Sequence, residues 1–190
     1  MIAGIVAGGR PVAPTAIPSG PPALGDYWVG EGGWYAGRIT YTDTRVFDLV
    51  LADKTLDLVG AIWKTTETVT PNTQSVFDGF ANTAAMAVAG LAAHPLADYC
   101  STLSTDGHSD LYIPALDELQ LIRNNLIGIA AWGSGGAQSL VDYGKYFWTS
   151  TEVSASSARG LDPASNSISS SWKLFTGALV MRPVRRVAVV

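Results

Sequence analysis

Residues 145–152 read Lys-Tyr-Phe-Trp-Thr-Ser-Thr-Glu, and residues 182–187 read Arg-Pro-Val-Arg-Arg-Val. Ahead of both stands Ser109-Asp110-Leu111-Tyr112-Ile113-Pro114-Ala115-Leu116-Asp117-Glu118-Leu119. The first piece predicts a core strand over 146–150. Its hydroxyls and Glu152 tie adjacent loops by hydrogen bonds, with Glu152 paired to Arg182, Arg185 or Arg186. Those arginines alternate with Val184 and Val187, as a half-exposed strand does, within a strand over 179–190. In the third piece Pro114 opens a helix running to about Leu126. Asp117 and Glu118 fall in its first turn, where the helix dipole favours acids. Leu116, Leu119, Ile122 and Leu126 form its buried stripe.

Outward from these pieces, Trp28 to Tyr41 and Arg45 to Leu51 read as strands. So does Leu56 to Trp63, with Gly60 as a bulge. Asn82 is placed to cap a helix over 83–93. A second helix runs from Pro95 to about Ser104, since proline suits a first turn. Residues 127–144 form a glycine-rich loop, and 154–169 a long polar loop before a strand over 170–175. Trp28, Trp34, Trp63, Trp148 and Trp172 lie in predicted strands and are expected in the core. Trp132 lies in the glycine-rich loop, either as an anchor for an external contact or folded back as a lid on the domain.

Residues 1–25 differ. They hold five of the ten prolines, five glycines and one charge, Arg10. Prolines 11, 14, 18, 21 and 22 forbid a helix and most sheet pairing. The stretch also carries Ile2, Ile5, Val6, Val12, Ile17 and Leu24, too apolar for an ordinary tail. The two readings are a disordered tail and, favoured by that apolar content, an extended arm lying on a neighbouring subunit. Residues 26–190 then form one domain.

Apolar residues make up 47% of the 190, and charged ones only 15%, against roughly 25% in an average soluble protein. Such a chain hides surface in an assembly or displays an uncharged polar one. The net charge of −4 gives no broad attraction to nucleic acid. No apolar run reaches the roughly 20 residues of a membrane span. Ile2 to Ala7 is too short for the core of a signal peptide.

In this order the three opening pieces resemble the C-type-lectin-like domain of phage tail-fibre tips, other phage virion proteins and the C-terminal domains of bacterial collagen-like adhesins. Members tend to read D-W-Y-L-P-A-x-x-E-L, then Y-W-S-S-T-E, then V-R-x-V-R-R. Gly33-Trp34-Tyr35-Ala36-Gly37 resembles the opening strand of that group. Trp63-Lys64-Thr65, Asp78-Gly79 with Asn82-Thr83, and His94-Pro95 followed by Cys100 also match in order. The resemblance covers residues 25–190. Leu111 stands where a Trp is usual, and Ala158-Arg159-Gly160-Leu161 stands near a missing aromatic. The resemblance implies an α+β fold: a twisted, mainly antiparallel sheet, two to three helices and a long loop region. It places the first and last strands, 33–41 and 179–190, near each other. It also implies a virion protein made in the host cytoplasm, a tail-fibre tip or head decoration, attaching to a host-surface glycan or protein. The alternative is a capsid or tail cement protein without an external ligand.

Reactive groups are sparse. Cys100 has no partner for an internal disulfide and shares a helical face with Leu96, Tyr99 and Leu103, as a buried apolar residue would. The formylglycine-generating enzymes share the lectin-like fold, but their oxidation chemistry needs paired cysteines. His94 and His108 have no metal-ligand spacing. Asp106 and Asp110 lack the register of a calcium loop and instead suit a turn. Gly133-Ser134-Gly135-Gly136 is neither a phosphate loop nor a nucleophile elbow. These readings favour a binding or structural protein over an enzyme, with no cofactor and no metal. Small, hydroxyl-rich loops at 127–144 and 154–171 are the expected ligand surface. Trp132, Arg159, Ser134 and Asn166 are the expected contacts.

Overall fold

A computed structural model describes residues 20–177 and 179–189. The fold is α+β, with three α-helices and two sheets among the described residues. The arm expected over 1–25 lies mostly outside them. Its last residues already belong to the body, because the Gly25 amide donates to the Tyr35 carbonyl at 2.8 Å.

The first sheet has the order β1 (Tyr27–Trp28), β2 (Gly33–Thr40), β3 (Val46–Leu51), β9 (Val184–Ala188), all antiparallel. The expected early and late strands therefore share a sheet, one strand apart. Leu51 faces Val184, and Phe47 faces Ala188. The second sheet has the order β4 (Leu58–Val59), β8 (Val180–Met181), β5 (Phe147–Glu152), β6 (Ser157–Asp162), β7 (Ser167–Trp172). It is antiparallel apart from the β5–β8 contact.

Every residue of β5 is buried. Side chains alternate across a strand, so Phe147 joins one apolar cluster and Trp148 another. Val180 and Met181 divide in the same way. The first cluster combines Leu49 and Leu51 of β3 with Leu119, Ile122 and Leu126 of helix α3 (Leu116–Leu126). The second joins Trp63 and Trp148 to Met86 of α1 (Gly79–Ala89) and to Leu96 and Cys100 of α2 (Pro95–Thr102).

Local chemistry corrects several boundaries. Helix α1 starts earlier than expected, because Asp78 is its cap and accepts from the Ala81 amide at 2.8 Å. Asn82 lies inside the helix, where its Nδ2 donates to the Ser75 carbonyl at 2.7 Å and to Ser150 Oγ at 3.1 Å. The strand expected over 56–63 shrinks to two residues, Leu58–Val59. Asp57, just before it, turns to Arg182 and Tyr143 instead of continuing a ladder. The polar loop expected over 154–169 is largely the β6–β7 hairpin.

Candidate functional site

Glu152 ends β5 and is buried, but its partner is Lys173 rather than one of the three arginines. It also accepts from the Thr70 amide at 3.0 Å, Thr73 Oγ1 at 2.8 Å and Gln74 Nε2 at 2.8 Å. Lys64 Nζ donates to Thr70 Oγ1 at 2.8 Å and to the Thr68 carbonyl at 2.9 Å. His94 bridges Thr70 Oγ1 and the Gly90 carbonyl, each at 2.8 Å, and burial lowers its pKa. These groups fasten the irregular segment 64–75 to the second sheet. Removing one member would strand a buried charge.

The arginines are engaged elsewhere. Arg182 holds Asp57, with Nη2 to Oδ2 at 2.6 Å. Arg185 spans Asp110 and Glu31. Arg186 reaches Asp78 at 3.0 Å and lies over the Phe47 and Phe80 rings. Glu118 is fully buried; burial pushes its pKa up to about 7, opposed by donors from Tyr41, Ala115, Tyr112 and Gly79. Burial also pushes the Cys100 thiol up to about 12, so it stays protonated. Among the described residues no group of three or more His, Cys, Asp or Glu is placed to hold a metal. Asp106 and Gly107 form a tight turn, with φ of 45° and 83°, between the paired Thr105 and His108.

The expected ligand residues separate. Trp132 is 0% exposed and belongs to the first core cluster. Its ring meets Trp34 edge-on at 5.8 Å and lies 6.0 Å from the Arg182 guanidinium. Arg182 also donates to the carbonyls of Gln138, at 2.9 Å, and Ser139. Gln138 in turn binds Asp53 and the Lys54 amide. The glycine-rich stretch is thus clasped inward, and Trp132 is a lid on the core rather than an exposed contact. Ser134 stays exposed beside Asp142.

Arg159 and Asn166 both lie on the β6–β7 hairpin. Arg159 faces Ser170 and donates to its Oγ at 2.9 Å. Asn166 sits in the connecting turn at φ 62°, with its Oδ1 unpartnered. Arg123 of α3 secures that turn by donating to the Pro163 carbonyl at 2.8 Å. Directly paired residues of neighbouring strands share a face. The register pairs Ser157 with Trp172, Arg159 with Ser170, and Leu161 with Ile168. Leu161 is covered by the core. Ile168, Ser170 and Trp172 remain exposed beside Arg159.

This strip is the candidate site. It offers an indole, hydroxyls and one aliphatic side chain on the edge strand β7, with a guanidinium beside them on β6. Trp172, 51% exposed, was expected in the core; the spacing Ile168-x-Ser170-x-Trp172 is the sequence signal that marks it as part of an exposed face. Its indole donates to Glu67, which fixes the ring. No family model matches the chain, and no curated protein matches it either.

Proposed function

We propose that this chain is a phage virion structural protein that displays a C-type-lectin-like domain on the particle surface. In this reading residues 1–25 fix it to other virion proteins or to sister subunits, the latter as a homo-oligomer. The domain adheres to a glycan or protein of the host surface through the β6–β7 strip, at a tail-fibre tip or as a head decoration. The observation that carries the adhesion reading is the grouping of exposed Trp172, Ser170 and Ile168 beside the half-buried Arg159 on a hairpin whose turn Arg123 holds. Aromatic and arginine anchors among small hydroxyls suit recognition of a sugar or a polar protein surface.

The α+β fold supports the lectin-like part of the reading. Ser-Thr-Glu ends a central buried strand, Pro114 leads into α3, and Arg185 and Arg186 lie in β9, paired with β3. No reaction is assigned, because the best general-base and nucleophile types, His94, Glu118, Glu152 and Cys100, serve inside the protein. Among the described residues no helix is long and apolar enough to cross a membrane.

A binding assay on host cells, with a glycan array beside it, tests the proposal. The native protein should bind saturably. Trp172→Ala should weaken binding about tenfold or more while the fold stays intact. Binding unaffected by both Trp172→Ala and Arg159→Ala would remove the strip from consideration. One observation favours the second reading, a capsid or tail cement protein. The outward face of α1 carries no charged side chain. Absence of saturable binding to host cells would move that reading ahead.

A further inference from the structure

Helix α1 has the sequence Gly-Phe-Ala-Asn-Thr-Ala-Ala-Met-Ala-Val-Ala. Its two polar side chains, Asn82 and Thr83, both point inward and are buried. Everything it shows to solvent is therefore apolar: Phe80, Ala81, Ala84, Ala87, Ala89 and Val88, which is 91% exposed. A helix facing water normally carries polar residues there, and one apolar all round is normally covered. Beside it runs a cleft of about 360 Å³, walled by Phe80, Ala84 and Ala87 and by the segment 109–112, with Ala97 and Cys100 at its floor. Asp110, paired with Arg185, stands at one edge.

We propose that this cleft receives residues 1–19 of a second copy of the chain. The inference rests on the reading that the arm joins sister subunits, and adds where it docks. The chemistry is complementary. Residues 1–19 carry Ile2, Ile5, Val6, Val12 and Ile17 and a single charge, Arg10, so they match the cleft by apolar surface. Their prolines favour an extended form, which fits a groove better than a flat face. Reach is sufficient. Nineteen extended residues span roughly 60 Å, against a diameter of roughly 40 Å for a domain of this size. The described chain leaves from the other core cluster. Gly25 lies against Trp132 and Ile129 of the first cluster, whereas the cleft floor belongs to the second.

Disulfide trapping in the full chain tests it. With Cys100→Ala removing the native thiol, one preparation carries Ile5→Cys and another Ala84→Cys. Mixed and oxidised, they should form a heterodimer, and pairing Ile5→Cys with a Ser134→Cys chain should not. Equal cross-linking to both sites overturns the proposal. So does a doubly substituted chain that closes only on itself. Sedimentation separates this inference from the reading beneath it. Ala87→Glu, at an exposed position, should raise the dissociation constant of self-association about tenfold or more, and Ile5→Asp with Val6→Asp should do the same. If the arm substitutions leave association intact, the arm reading fails and takes this inference with it. If they dissolve the oligomer while Ala87→Glu does not, the arm reading stands and the cleft is the wrong dock.

Discussion

Residues 127–144 and 154–171 are alike in composition and opposite in placement. Both are built mostly of small residues and are poor in charge, the first rich in glycine and alanine, the second in serine and alanine. The first folds inward around Trp132, held by Arg182 and Gln138. The second becomes a hairpin that keeps Ile168 and Ser170 in solvent. The difference lies in what each offers the core. The first brings Ile129, Trp132, Leu140 and Tyr143, enough apolar surface to offset ordering a glycine-rich backbone. The second brings little beyond Leu161 and Ala158, so only its inner strand is drawn in. Small-residue composition therefore permits a loop without making one; the spacing of large side chains decides.

The largest test of that contrast is Trp132→Ala. It should cost about 3–5 kcal/mol in chemical denaturation, as a fully buried aromatic does. A midpoint unchanged within error would break the comparison. Leu161→Ala comes next, at about 2–4 kcal/mol. Ile168→Ala, its exposed neighbour across the hairpin, should cost less than about 1 kcal/mol. Equal losses at the two positions would mean the hairpin has no inner and outer strand. Gly25→Ala probes the lid from the other side. At φ +82° an added Cβ would come within 2.9 Å of Ile129 and Trp132. A loss of about 1–3 kcal/mol in thermal unfolding is expected. Trp172→Ala is the smallest, within about 0.5 kcal/mol of the native protein. A larger drop would mean that the Trp172–Glu67 contact holds the edge strand in place.

Much of the fold was legible because its signals are local. Pro95 and Pro114 mark where α2 and α3 begin, and the leucine spacing of 116–126 gives the buried face of α3 directly. Strands 33–40 and 46–51 announced themselves by aromatic and branched residues. The β6–β7 hairpin did not, since Ser167-Ile-Ser-Ser-Ser-Trp172 lacks a buried apolar face of its own and is ordered by pairing with β6. Glu152 found Lys173 because the chain leaving β7 returns beside it, where the Lys173 amide meets the Ser156 carbonyl at 2.9 Å. At the candidate site, Arg159 and Asn166 could be picked out from the chain, as polar residues among small ones. The burial of Trp132 could not, because its partners Gly25, Trp34 and Arg182 are far away in sequence.

The pairing of β3 with β9 sets the order in which the protein can be completed. Leu51 waits for Val184, about 130 residues later in synthesis, at an ordinary pace of about 5–20 residues per second. Until then β3 is an unpaired edge and the first core cluster lacks one wall. Loop-closure entropy over that span also makes the step slow relative to helix formation. The first sheet therefore stays open until β9 has been made, however much of the rest has already folded. Docking that requires the finished body is delayed by the same interval, so an early surface is not a finished one.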